Sequence, residues 1–316
     1  MRIRTGVVCA TLLAASVMVT PAVGQDRTPD GQPNIQGVWT NFDPTPFEAP
    51  DDIDLERLAP LAAWFPGTNR PQRPPATPSP DARSRGPQGP WGDGPGDALR
   101  NERRRSMIVD PPSGRAPLRA SAIARRNQNL VNLTDGWLTH TPWERCITRG
   151  IPGGMFPGGY GAGYQILQAP GYVVIFYEMI HEARIIPIND RAPLSEKIRL
   201  WNGDARGRWE GDTLVVETTN FVDRPAFRRG TGNMTVTERF RMESADTLIY
   251  RFTVEDPTVW SAPFTGEYAW PRSDNKVFEY ACHEANYALE GIMHGARLLE
   301  ADFRGEEPEG VANPTR

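Results

Sequence analysis

The sequence predicts a mainly β protein, an antiparallel meander of about eight to ten strands that closes into a barrel or folds as a sandwich. From Tyr164 onward, short segments rich in β-branched and aromatic residues follow one another, separated by turn-forming residues. No helical pattern lies between consecutive strands, and strands joined by such short connections pair antiparallel. Closure of the sheet would remove or shield unpaired strand edges.

Composition identifies the individual strands. In the clearest hairpin, residues 208–210 end one strand, Gly211 and Asp212 form a tight turn, and residues 213–221 form the next strand. Further strands are predicted, in chain order, over residues 172–177, 183–188, 235–242, 248–254, 264–270 and 277–282.

Three elements lie outside this meander. Residues 37–40 predict a short strand that joins the later sheet. Residues 115–133 have the alanine and arginine content of a surface helix, and residues 287–299 predict a helix against one end of the sheet structure. The expected helices are therefore few and peripheral.

Residues 1–24 have the pattern of a signal peptide. Arg2 and Arg4 precede an apolar run over residues 6–20, and small residues resembling a cleavage site follow. The run is short and rich in small residues, unlike a membrane span, and no later segment approaches the ~20 apolar residues that a span requires. We therefore expect a periplasmic or secreted protein without membrane insertion after signal removal.

The remaining chain divides into three regions. Residues 25–65 form an N-terminal segment with the first strand, and residues 107–316 form the main β domain. Between them, residues 66–106 are dominated by Pro, Gly and Arg and predict a disordered linker. The linker is interpreted as a solvated tether, with binding of its arginines to an acidic partner as the alternative.

Charge and cysteine content limit the partners and the cross-links. The formal charge of −4 falls to −6 when the charges of Arg2 and Arg4 are removed, which gives no electrostatic reason to bind nucleic acid. With Cys9 in the signal peptide, Cys146 and Cys282 form an even pair in a compartment that permits disulfides. A disulfide is expected, and two buried thiols or metal ligation are the alternatives.

Side-chain alternation places one carboxylate on an otherwise apolar face. Val236 and Phe240 point to the inner face of their strand, and Glu238 lies between them. A buried carboxylate must be paired, hydrogen-bonded or protonated. Glu238 is therefore either a catalytic or substrate-binding group or the partner of an inward arginine such as Arg184.

Two His-Glu dipeptides supply the candidate catalytic residues. His181 follows Glu178 at a bend between two apolar strands, and His283 and Glu284 follow Cys282. A Cys146–Cys282 disulfide would pin the second dipeptide to residues 143–149, so that all four side chains could meet at one barrel mouth.

Three interpretations of these four side chains stay open. Histidine exchanges protons near neutral pH and a carboxylate orients it, which favours general acid-base chemistry. Hydrogen-bonded histidines at strand ends and a divalent metal at His181 and His283 are the alternatives. No His-Glu-x-x-His helix is present, so no metal or other cofactor is expected.

Other motifs carry weaker signals. The glycine-rich residues 158–163 lack the strand-to-helix context of a nucleotide loop and predict a flexible loop or lid. No Gly-x-Ser-x-Gly elbow is present, which argues against a serine hydrolase. Four tryptophans either line a sugar or aromatic groove or close the core, namely Trp201, Trp209, Trp260 and Trp270.

Two resemblances agree with these predictions. Gly37-Val38-Trp39 resembles the Gly-x-Trp of the first strand in lipocalin-like barrels, which implies a barrel with an internal cavity for a small apolar or amphipathic ligand. Residues 168–178, 207–220 and 279–284 resemble blocks in a family of exported, β-rich bacterial proteins, a resemblance that implies no particular activity.

The leading functional expectation is an exported enzyme that acts on a small organic or sugar-like molecule as a lyase, isomerase or hydrolase. His181 and His283 would transfer protons, and Glu178 and Glu284 would orient them or share that role. The expected substrate-binding residues are Arg184, Glu238, Asn286 and Trp209, with Arg184 holding an anionic or oxyanionic group. The alternative is a lipocalin-like protein that binds a small molecule without chemistry.

Overall fold

The computed structural model describes residues 26–43, 45–49, 106–132, 134–158, 160–227, 230–284 and 286–305. The predicted signal peptide and nearly all of the predicted linker lie outside these residues. The described strands are β1 Gly37–Thr40, β2 Ile108–Asp110, β3 Gly163–Ala169, β4 Tyr172–Tyr177, β5 Glu182–Pro187, β6 Asp204–Glu210, β7 Thr213–Thr219, β8 Thr235–Ser244, β9 Thr247–Glu255 and β10 Phe264–Pro271, and the α-helices are α1 Ala120–Val131 and α2 Tyr287–Arg304.

The strands form two antiparallel sheets, as the short connections predict. One sheet has the order β1-β3-β4-β5 and the other has the order β2-β10-β9-β8-β7-β6. Within each sheet the later strands are sequential hairpin neighbours, whereas β1 and β2 come from earlier in the chain and add to an edge. The predicted pairing of the N-terminal strand with the later sheet is confirmed, because β1 pairs with β3.

The two sheets approach each other at two places, between β5 and β6 and between β1 and the end of β10. On one side β5 lies next to β6 without ladder pairing. On the other side Trp39 of β1 forms an isolated bridge with Arg272, and the Arg272 guanidinium lies 4.3 Å from the centre of the Trp39 ring. The Arg272 Nη1 also donates a 3.1 Å hydrogen bond to the carbonyl oxygen of Gln36.

The predicted inner faces of β8 and β9 are confirmed. Glu238 and its inward neighbours have no solvent exposure, and these neighbours are Val236, Phe240, Leu248, Tyr250, Phe252 and Val254. The predicted turn at Gly211 and Asp212 joins β6 to β7, and Gly211 has a φ of +59°, a conformation that glycine adopts without strain.

Large aromatic side chains occupy the space between the sheets. Tyr164 of the four-stranded sheet stacks on Trp270 of the six-stranded sheet, with ring centres 4.5 Å apart. Phe252 lies so close to Gly266 on the neighbouring strand that a Cβ atom there would come within 2.3 Å of its ring. Trp260 and Trp270 are core residues, which supports the structural interpretation of these two tryptophans.

One ion pair lies inside this aromatic core. Arg184 of β5 places Nη2 2.6 Å from Glu238 Oε2, and both side chains are almost completely buried. Thr218 accepts a 2.6 Å hydrogen bond from the same Nη2, and the Tyr250 hydroxyl donates a 3.0 Å hydrogen bond to Glu238 Oε1. Burial lowers the pKa of Arg184, but Glu238 and Tyr177 raise it more, so the net pKa lies above its usual value.

Three predicted boundaries differ from the structure. Residues 277–282 form no strand, because the chain leaves the sheet after Pro271 and Cys282 is bonded to Cys146. The first helix spans Ala120–Val131, shorter than predicted, because Leu118 forms an extended bridge with Trp260 instead. The three-residue strand β2 was missed. Ser106, two residues before β2 and predicted in the linker, is buried and donates a 2.8 Å hydrogen bond to the Gly114 carbonyl.

None of the described helices is both long enough and apolar enough to span a bilayer.

Removal of one partner of the buried ion pair is expected to destabilise the fold. Glu238→Gln should lower the free energy of unfolding by about 3–5 kcal/mol, because it leaves the Arg184 charge buried without compensation. Urea unfolding followed by tryptophan fluorescence measures this loss.

The exposed pair of Arg239 and Glu210 provides the control, and Arg239→Ala should cause no measurable change. The double variant Arg184→Met/Glu238→Leu should recover much of the loss, because no charge remains buried. An unfolding midpoint of Glu238→Gln equal to that of the unsubstituted protein would contradict this interpretation.

Candidate functional site

A disulfide joins two distant parts of the chain, as predicted. Cys146 and Cys282 are bonded, with Cα atoms 5.7 Å apart and a sequence separation of 136 residues. The bond fixes the segment that follows β10 to the loop over residues 143–149. Asn286, just before α2, donates a 2.8 Å hydrogen bond to the Glu144 carbonyl and lies 3.4 Å from the Cys146 sulfur. The start of α2 is therefore positioned by the disulfide and this amide.

An open groove of about 420 Å³ lies between this loop and α2. We call it the disulfide groove, and its walls include both cysteines together with His140, Trp143, Tyr280, Asn286, Leu289 and Ile292. Most of its surface is apolar, with few polar groups. A concave apolar site with a few placed polar groups is typical of small-molecule sites.

His140 is the unusual polar residue of the groove. His140 is only 3% exposed, and neither of its ring nitrogens has a hydrogen-bond partner. Glu144 Oε1 lies 3.7 Å from His140 Nδ1, beyond the range of a good hydrogen bond. A buried polar group without a hydrogen-bond partner lowers stability by ~1–3 kcal/mol. A hydrogen bond from a bound molecule to this imidazole would therefore be favourable.

A tight turn holds Glu144 beside the imidazole. The Thr141 amide and hydroxyl donate hydrogen bonds of 2.7 and 2.8 Å to Glu144 Oε2, and the Glu144 amide donates to Thr141 Oγ1. Burial raises the pKa of Glu144, but these hydrogen bonds and His140 together lower it below its usual value. The carboxylate is therefore held in the charged form next to His140.

Aromatic side chains form the other rim of the groove. Tyr280 stacks on Tyr160 with ring centres 6.1 Å apart, and the Arg149 guanidinium lies 4.8 Å from the centre of the Trp143 ring. Burial and the neighbouring Tyr160 raise the pKa of Tyr280. These rings provide flat surfaces against which an aromatic or cyclic ligand can pack.

Glu178 and His181 lie together at the turn between β4 and β5, as the predicted bend required. The His181 ring packs edge-on against Phe176 at 4.8 Å, and its side chain is exposed. Burial raises the pKa of Glu178, although the Phe278 amide and His181 oppose this change.

His283 and Glu284 are exposed near the disulfide. Between described residues, no hydrogen bond or ion pair joins either of them to Glu178 or His181. The structure thus places Glu178 and His181 at the same turn, but it does not link them to the second dipeptide.

The remaining predicted substrate-binding residues are separated from one another. Arg184 and Glu238 form the ion pair of the core. Trp209 lies on β6, where its indole nitrogen donates a 2.9 Å hydrogen bond to Gln32 Oε1 and its ring packs against the core. Asn286 alone lines the disulfide groove.

No three histidine, cysteine, aspartate or glutamate side chains are grouped to hold a metal ion in the part of the chain that the structure describes.

His140 and Glu144 were missed as candidates from the sequence. Their local signal is Thr141-Pro142-Trp143-Glu144, in which a threonine and a glutamate three residues later form a reciprocal capping pair. This motif predicts a tight turn, but it does not predict that His140 is buried. His140 shares the disulfide groove with residues 280–292, which lie far along the chain and are not represented in the local motif.

No protein-family model matches the chain, and a comparison with curated proteins finds no match.

Loss of the disulfide is expected to destabilise the protein and open the groove. The Cys146→Ser/Cys282→Ser variant should lose about 2–5 kcal/mol of unfolding free energy, because the unfolded chain regains the freedom of a very long loop. Urea unfolding under oxidising conditions measures the loss.

The unsubstituted protein with its disulfide reduced should unfold at the same urea concentration as the double variant. An oxidised protein that is no more stable than the variant would contradict a structural role for the bond.

Proposed function

We propose that this protein binds a small organic molecule in the disulfide groove. The ligand has an aromatic or otherwise apolar body and one group able to exchange hydrogen bonds with an imidazole. The observation that carries the proposal is the buried His140 side chain, whose ring nitrogens lack hydrogen-bond partners at an apolar groove.

The groove supplies both parts of this recognition. Leu289 and Ile292 of α2 face Trp143 and Tyr280 across it and provide apolar contact area. Burial of apolar ligand surface contributes ~25 cal/mol per Å² before the costs of binding are subtracted. His140 and Asn286 supply the polar contacts that orient a ligand.

The lipocalin-like barrel remains our proposal for the architecture. Contact of β5 with β6 and the bridge from Trp39 to Arg272, which follows β10, bring the two sheets together on both sides, which supports closure of the two sheets into a barrel. Aromatic side chains fill the space between the sheets. We therefore propose that the ligand binds outside the barrel, in the disulfide groove.

We also propose that the protein is exported to the periplasm or secreted. The disulfide supports this proposal, because such bonds persist in oxidising compartments. The signal-peptide pattern of residues 1–24 agrees with it.

General acid-base catalysis is a second candidate function, favoured by the placement of Glu144 beside His140 at the groove. A carboxylate next to an imidazole orients the ring and stabilises its protonated form. In this candidate His140 exchanges the proton with a groove-bound substrate and Glu144 orients it. The predicted pairs of Glu178 with His181 and His283 with Glu284 are competing positions for the same chemistry.

Binding at the groove is testable with the fluorescent probe 8-anilinonaphthalene-1-sulfonate, which has an apolar aromatic body and an acceptor group. Leu289→Asp should weaken probe binding at least tenfold, because it places in the apolar wall a negative charge that also repels the sulfonate. A fluorescence titration of the oxidised full chain measures the dissociation constant.

Leu299→Asp is the matched control, because Leu299 lies on the same helix, is 73% exposed and does not line the groove. It should leave probe binding unchanged. Equal affinities for both variants would place the probe elsewhere and contradict the proposed site.

Catalysis is testable with 4-nitrophenyl acetate, an ester that imidazoles hydrolyse. If His140 acts as the proton-transfer group, His140→Gln should lower kcat/KM about 100-fold or more, whereas the exposed His294→Gln should not. Glu144→Gln should shift the pH profile, because Glu144 acts through the imidazole. A rate that survives His140→Gln but falls in His181→Ala or His283→Ala would contradict the assignment.

A further inference from the structure

A second groove lies where the two sheets meet without ladder pairing. It has a volume of about 460 Å³ and follows β5, β6 and the loop between them. We call it the sheet-gap groove, and its walls include Tyr172, Glu182, Arg191, Trp201, Asn202 and Arg206. This volume falls within the ~300–1,000 Å³ of typical small-molecule sites.

Hydrogen bonds and an ion pair hold the polar side chains of the sheet-gap groove in fixed positions. Glu182 accepts hydrogen bonds of 2.6 Å from Asn202 and 2.8 Å from the Thr148 hydroxyl. Arg206 pairs with Asp204 at 2.7 Å. Ordered donors and acceptors lower the entropy cost of binding a polar ligand.

Charge in and beneath this groove is balanced. The groove and the core beneath it contain three arginines, namely Arg184, Arg191 and Arg206. They also contain three carboxylates, namely Glu182, Asp204 and the buried Glu238. A site for an anion would present an excess of positive charge. The balance favours a neutral ligand.

A donor in these walls lacks an acceptor. The Nε atom of Arg206 is buried without a hydrogen-bond partner, although the Arg206 side chain as a whole is 21% exposed. Hydroxyl oxygens of a ligand are suitable acceptors for such a donor.

Aromatic rings border these polar groups. Trp201 is 36% exposed and Tyr172 is partly exposed, and both line the groove. Flat aromatic faces pack well against the C–H surfaces of cyclic molecules, while neighbouring polar groups bind the ring substituents. This groove thus combines an aromatic platform with ordered, charge-balanced donors and acceptors.

We propose that the sheet-gap groove is a binding site for a neutral saccharide. The sugar ring packs on Trp201, and its hydroxyl groups exchange hydrogen bonds with Asn202, Glu182 and Arg206. Burial raises the pKa of Glu182 above its usual value, against the effect of Thr148 and Asn202, which makes the protonated, donor form more accessible. The site is separate from the disulfide groove.

Isothermal titration of the oxidised full chain with neutral sugars tests this proposal, using glucose, galactose, maltose and cellobiose as probes. At least one should bind, and Trp201→Ala should weaken that binding tenfold or more. Trp137→Ala is the matched control, because Trp137 is 55% exposed and lines neither groove, and it should not change the affinity.

A measurement on the unsubstituted protein covers the case in which Trp201→Ala fails to fold. In nuclear magnetic resonance spectra, the indole N–H signal of Trp201 should move on addition of the bound sugar, while that of Trp137 should not. The proposal is overturned if none of the four sugars binds at millimolar concentration, if only glucuronate or inorganic sulfate binds, or if Leu289→Asp abolishes the sugar binding.

Discussion

The buried contact between Arg184 and Glu238 is the interaction on which the rest of the structure depends. Arg184 belongs to the four-stranded sheet and Glu238 to the six-stranded sheet, so their 2.6 Å ion pair crosses the core. Thr218 and Tyr250 add hydrogen bonds to the two side chains. Because a misplaced charge in an aromatic core is costly, we infer that the pair favours this arrangement of the two sheets over others.

This packing determines where the grooves lie. The aromatic side chains fill the space between the sheets, and the two grooves lie outside it, at the disulfide and along the β5–β6 gap. A short segment connects these grooves, because Thr148 lies two residues after Cys146 and donates a hydrogen bond to Glu182. The disulfide therefore supports one groove directly and contributes to the order of the other. The N-terminal part of α2 is held by the same bond and by Asn286.

Local sequence patterns predict much of this fold. The alternation in β8 and β9 identifies the inward position of Glu238, turn residues such as Gly211 separate the hairpins, and the even cysteine pair predicts the disulfide. Long-range contacts explain the remaining differences. Residues 277–282 have strand-like composition but follow the disulfide away from the sheet. His140 lies in an ordinary turn by sequence, and its position in the groove beside residues 280–292 is not visible in that local pattern. The predicted catalytic residues are close to one another in sequence, as the two His-Glu dipeptides show. The groove instead brings together His140 and Asn286, which are far apart in the chain.

The most direct test of the proposed ligand site uses the four histidines of the chain as reporters. Protein labelled with ¹⁵N at histidine is titrated with 8-anilinonaphthalene-1-sulfonate, and the imidazole signals of His140, His181, His283 and His294 are followed by nuclear magnetic resonance. Binding in the disulfide groove predicts the largest change at His140 and none at His181. An unchanged His140 signal, together with joint changes at His181 and His283, would contradict the account and place the site at the two His-Glu dipeptides.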